Sequence, residues 1–78
     1  MPEIFRYAKR DLLRRYDLRI LPAGAGAELW RITEQPGCPP SEILEDVLKN
    51  AEAAEACFEQ IERALVAGGW RQVEVSAR

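Results

Sequence analysis

The sequence predicts an α+β fold: an antiparallel sheet of three to four strands, near residues 16–21, 28–34 and 42–48, with one main helix, 51–67, packed on one face. Three observations carry that prediction. Apolar residues recur at steps of three and four in the second half of the chain. Apolar and polar residues alternate in two runs of the first half. Glycine- and proline-rich breaks separate these segments.

The helix is the clearest element. In "NAEAAEACFEQIERALVA", Ala54, Cys57, Phe58, Ile61, Ala64 and Leu65 fall on one stripe. Glu52, Glu55, Glu59, Glu62 and Arg63 take the other side. Asn50 is a good N-cap, because its side-chain oxygen accepts from an orphan backbone N–H. Glu52 in the first turn suits the positive end of the helix dipole. Gly68 and Gly69 stop the helix, since one of them adopts the left-handed conformation without steric cost. Trp70 follows at once and is expected to fold back on the last turn as a plug for the core.

Upstream, "YDLRI" alternates Tyr16, Leu18 and Ile20 with Asp17 and Arg19, and Pro22 ends it. "ELWRIT" places Trp30 and Ile32 on one side and Leu29, Arg31 and Thr33 on the other. The loop "AGAGA" joins them, longer than the tightest hairpins use. "QPGCPP" is a second break.

"SEILEDVLKN" reads two ways. Leu44 and Val47 continue the three-four spacing, so periodicity alone favours one helix over 41–67. That helix would be long, and it would bury a good cap, Asn50, in its middle. A two-stranded sheet is also too small to support a helix unaided. The expectation is therefore a third strand over 42–48. Segment 1–14 fits a helix (Phe5, Ala8, Leu12 and Tyr16 form a stripe) or an extra edge strand. Segment 71–78 adds an edge strand or frays.

Length and composition bound the function. The 78 residues make a single small domain with a marginal core. Apolar residues are 47% and charged residues 31%, which suits a globular chain rather than a disordered one. No apolar run is long enough to span a bilayer, and no signal-peptide pattern opens the sequence. A cytoplasmic location follows. There is no histidine, and Cys38 and Cys57 are the whole thiol inventory. Histidine-based catalysis within one chain is excluded, and a zinc site lacks ligands. A disulfide does not suit a reducing compartment. No cofactor and no metal is implied.

With these elements in order, the chain resembles a WGR-type domain. "RYDLRILP" places Tyr16, Leu18, Ile20 and Pro22 where that family has its opening "Y-x-L-x-L-x-P" strand. Ala54 and Phe58 match its helical "A-x-x-x-F", and Gly69-Trp70 matches its Gly-Tyr exit. The likeness covers roughly residues 15–75. The Trp-Gly-Arg triplet itself is absent: "LWRITEQPG" has Trp30 next to Arg31. The resemblance implies an antiparallel sheet with one helix. The DNA contact made by WGR domains of nuclear poly(ADP-ribose) polymerases depends on residues missing here.

The charges are unevenly placed. Arg6, Lys9, Arg10, Arg14, Arg15 and Arg19 outnumber the acids of residues 1–20, while residues 28–67 are strongly acidic. Glu52, Glu55, Glu59 and Glu62 read as a solvated helix face rather than a cation site, because no second carboxylate-bearing element faces them. "AGAGA" precedes no helix and is not a phosphate loop. No catalytic constellation emerges, so the chain is expected not to be an enzyme. It reads as a protein-interaction module with a protein partner or a second copy, since marginal cores gain from association. The alternative is weak nucleic-acid binding. In that reading, Arg6, Lys9, Arg10 and Arg14 line one side of an N-terminal helix, with Arg15, Arg19 and Trp30 as further contacts. An isoelectric point near 5.1 opposes it. No membrane contact is expected.

Overall fold

The computed structural model describes residues 3–73. Four strands form an up-and-down meander: β1 (Glu3–Lys9), β2 (Leu12–Ile20), β3 (Ala27–Glu34) and β4 (Ser41–Leu48). The single helix α1 (Ala51–Ala67) follows, then a short β5 (Arg71–Val73). The sheet order is β4-β3-β2-β1-β5, with every neighbouring pair antiparallel. α1 therefore crosses one face of the sheet from the β4 edge to the β1 side. The fold class and the helix limits are as the sequence predicts, and the sheet has five strands rather than three to four.

Of segment 1–14, the described residues 3–14 form a strand hairpin rather than a helix. β1 and β2 join through Arg10 and Asp11, pairing Lys9 with Leu12 across the turn. Arg10 takes a positive φ of 56°. This corrects the picture of Arg6, Lys9, Arg10 and Arg14 along one side of a helix. On a hairpin, successive side chains alternate faces. Arg6 pairs in register with Arg15 on one face, whereas Lys9 and Arg14 point to the other and Arg10 occupies the turn.

Segment 41–48 is a strand paired with β3 throughout, not the first half of a long helix. β-branched Ile43 and Val47 suit a strand, and Asn50 opens the helix instead of interrupting it. The Asn50 side chain accepts from Ala53 N–H at 2.9 Å. Asn50→Ala is expected to cost about 1 kcal/mol of stability, read as a lower urea midpoint with an unchanged slope.

The helix ends in a Schellman motif. Trp70 N–H donates to Leu65 O at 2.9 Å and Gly69 N–H to Val66 O at 3.1 Å. Gly69 supplies the left-handed residue at φ 89°. This geometry returns Trp70 onto the core beside buried Leu65, as the sequence predicts. Strand β5 then covers three residues, and 74–78 of the expected edge strand or tail lies outside the described residues.

The core lies between α1 and the sheet. Leu29 is fully buried at the centre of β3, with Tyr16, Tyr7, Leu48, Phe5 and Leu65 around it. Phe5 organises the aromatic part: its ring centroid is 4.9 Å from Tyr16 and 5.9 Å from Phe58, the latter edge-on. Leu65 is the one buried residue of α1, so the helix rests lightly on its sheet.

Candidate partner-docking surface

Strand β4 is an open edge. It hydrogen-bonds to β3 on one side and has no neighbour on the other among the described residues. Only its last residue, Leu48, is buried. Ile43, Leu44 and Val47 are all solvent-exposed, Val47 at 53%. Three of the five large exposed apolar side chains of the described chain therefore sit on one strand. Leu44 and Val47 are the residues whose spacing continued the helical stripe, and the fold leaves them unused as core. Edge strands ordinarily guard against pairing with charge or a bulge. β4 carries Glu42, Glu45 and Asp46, and its register with β3 shifts at Leu29/Trp30, where Glu45 is the extra residue.

An apolar groove continues this edge. It has a volume of about 520 Å³ and lies between the 21–26 loop and the first turns of α1. Leu18, Ile20, Ala27 and Leu48 form its sheet side, and Ala51, Ala54 and Phe58 its helix side. Ile20, at 69% exposed, stands at its lip. The groove exists because α1 crosses the sheet diagonally and leaves this corner open.

The basic residues singled out from sequence are dispersed and mostly engaged. On the face away from α1, Arg6 is gripped by Glu3 through two hydrogen bonds of 2.6 Å. Arg15 lies 3.4 Å from Asp17 and 3.5 Å from Glu34. Arg19 lies 3.7 Å from Glu28. A register shift between Glu3 and Phe5 is what brings Glu3 onto the same face as Arg6. On the helix side, Lys9 Nζ donates to Gly68 O at 2.7 Å, which suits the negative end of the helix dipole. Arg14 stacks on Trp70 with its guanidinium carbon 4.5 Å from the ring centroid. Trp30 is half-buried, and its indole N–H donates to Glu28. The structure thus brings Arg14 to Trp70 but does not gather the six basic residues into one stripe. Sequence reasoning missed the Glu3, Asp17, Glu28 and Glu34 partners because two of these pairings, Arg15 with Glu34 and Arg19 with Glu28, cross between strands, and Glu3 reaches Arg6 only through a register shift.

Asp17 is the one buried charged residue of the described chain, 5% exposed although no described element covers its face. Its cross-strand neighbour is Trp30. Burial raises its pKa, with Arg15 pulling the other way. The 3.4 Å approach of Arg15 Nε to Asp17 Oδ1 is an ion pair without a hydrogen bond, and neither atom has another partner.

Tyr7 ties β1 to α1 by donating to Glu62 Oε2 at 2.5 Å. Its pKa is pushed up to about 12 from 10.0, chiefly by burial and then by Glu62. The folded state therefore holds this proton more tightly than the unfolded chain. Stability is intact below pH 10 and falls as pH rises from about 10 to about 12, by on the order of 2 kcal/mol. Tyr7→Phe is expected to cost about 1 kcal/mol at neutral pH. It should also shrink the alkaline decline in urea-unfolding free energy, leaving the smaller share that belongs to Tyr16, whose pKa burial also raises.

Both cysteines are free thiols. Burial raises the Cys57 pKa, as do the charge of Asp46 and a contact with its carboxylate at 3.8 Å. Cys38 lies exposed in the 35–40 loop. Alkylation at neutral pH should label Cys38 within the time that leaves Cys57 largely unmodified in folded protein; equal rates would contradict the packing of α1 on β4.

Among the described residues no cluster of acidic or cysteine side chains is placed to hold a metal ion, and no helix is long and apolar enough to cross a membrane. Compared with known proteins, the chain matches no family model, no curated protein and no solved structure.

Proposed function

We propose that this chain is a small non-catalytic protein-interaction module that takes an extended segment of another protein onto the free edge of β4. One observation carries the reading: an edge strand of 8 residues that leaves Ile43, Leu44 and Val47 in solvent. Such an edge offers backbone donors and acceptors to an incoming strand, and its alternating side chains supply selectivity. Charge selects the kind of partner. Glu42, Glu45 and Asp46 line the edge, and among the described residues Glu45 alone of these has a basic partner, Arg31 at 3.5 Å. Two copies joined edge to edge would set like charges opposite one another, which destabilises pairing. A strand alternating lysine or arginine with apolar residues fits. Self-association, expected from the small core, is then left to another surface.

The alternative, nucleic-acid binding through the basic hairpin, is weaker on the same grounds. Arg6, Arg15 and Arg19 are each held by carboxylates, and the WGR resemblance lacks its triplet. A cytoplasmic location goes with the module reading, since both thiols are unpaired.

A labelled octapeptide alternating lysine and valine tests it, beside one alternating glutamate and valine and a single-stranded oligonucleotide. Fluorescence anisotropy should show binding of the lysine peptide alone, weakening with salt. Val47→Lys should abolish that binding while the protein stays folded. Equal binding of both peptides, or binding of the oligonucleotide alone, would sink the proposal.

A further inference from the structure

The other corner left open by the diagonal helix is a second groove, with different chemistry. It has a volume of about 260 Å³ and lies between β2, β3 and the last turns of α1. One wall is apolar, made by Ile61, Ala64 and the Trp70 ring. The opposite wall carries two guanidinium groups, Arg14 from β2 and Arg31 from β3, with buried Tyr16 between them and the Glu45 carboxylate of β4 beside Arg31.

Neither guanidinium is saturated. Arg14 makes one long hydrogen bond, Nε to Thr33 Oγ1 at 3.4 Å, and otherwise lies against the Trp70 face. Arg31 faces Glu45 at 3.5 Å without a hydrogen bond. Each guanidinium has five donors in a planar fork, so most donors in the groove lack a protein acceptor among the described residues. Trp70 and the strand pairing hold these forks in place before any ligand arrives, which lowers the ordering cost of binding. Charge fixes the ligand's valence. Arg14 and Arg31 against Glu45 leave one positive charge, which a monoanion neutralises and a dianion overshoots.

We propose that this groove binds a monocarboxylate with a short apolar tail: the carboxylate bridges Arg14 and Arg31, and the tail lies on Ile61, Ala64 and Trp70. The planar carboxylate matches the guanidinium fork, and a half-buried setting strengthens such charge-assisted bonds. The ligand is a free short-chain acid or the C-terminal residue of a peptide, which share this chemistry. The site shares Glu45 with the β4 edge but takes its ligand on Arg14 and Arg31, so the acid and amide titrations test it apart from the module reading.

The test titrates 4-methylpentanoate and its amide into Trp30→Phe protein, where Trp70 is the remaining indole. Two more arms use a short peptide ending in leucine, as the free acid and as the C-terminal amide. The expected result is a saturable change in Trp70 fluorescence with an acid and none with its amide, and the acid that responds identifies the source. Arg31→Gln should weaken binding by at least about tenfold, the scale of a lost charged hydrogen bond. Arg31→Lys keeps the charge and should retain part of the binding, and circular dichroism establishes that each variant is folded. Equal binding of acid and amide, no saturation with either acid, or an Arg31→Gln protein that is folded and binds as well as the parent overturns the proposal.

Discussion

Gly26→Ala should destabilise the protein by about 2–6 kcal/mol. A Cβ built at Gly26 would sit 2.2 Å from the Leu48 carbonyl oxygen and 3.2 Å from its carbon. The obstacle is backbone, so no side chain can swing away. Gly26 also has φ 103°, a conformation that side chains avoid. Backbone strain of about 1–3 kcal/mol adds to a comparable overlap cost. The sum, about 2–6 kcal/mol, is about half of the whole stability of a domain this size, about 4–12 kcal/mol. Gly24→Ala is the control. Gly24 has φ 70° but nothing within 4 Å of a new Cβ, so it should lose only about 1 kcal/mol. Circular dichroism melts of the two variants separate close approach from backbone preference. Near-equal melting temperatures would mean that β3 and β4 do not meet as described.

Leu29→Ala should cost about 2–5 kcal/mol, the range for large-to-small changes at sites that cannot collapse. Leu29 is 0% exposed at the middle of the sheet, in register with Leu18 on one side and Asp46 on the other. Helix and sheet both line the space it fills. Leu44→Ala is the informative comparison, because Leu44 is 42% exposed on the edge strand and its loss should shift stability by only about 0.5 kcal/mol. Urea unfolding of the pair would show that β4 keeps apolar residues the fold does not require.

Segment 50–70 was legible because its signals agree. The apolar stripe, the Asn50 cap and the Gly68-Gly69 stop all specify one helix, and Trp70 lands where the C-terminal motif directs it. Strands β2 and β3 followed from alternation. The N-terminal hairpin was not legible: Phe5, Ala8, Leu12 and Tyr16 fit a helical period, and Arg10 occupies a positive-φ turn position without any turn signature. Nor was the dispersal of the basic residues, which depends on that hairpin and on acids of other strands. The openness of β4 was hidden for a topological reason. Its residues are apolar enough for a core, and only the passage of α1 to the far side of the sheet leaves them at an edge. The pairing of Arg14 with Trp70 joins residues far apart in sequence and had no local trace.

Amide hydrogen exchange along 41–48 tests the central claim most directly. In an antiparallel edge strand, alternate amides bond to the neighbour and the others face solvent. Protection should therefore alternate along β4 on either side of the Glu45 bulge in the free protein, and the fast-exchanging amides should slow when the lysine–valine peptide is added. Continuous protection running from Ser41 into α1, or a peptide that slows exchange only in the β1–β2 hairpin, would contradict the account.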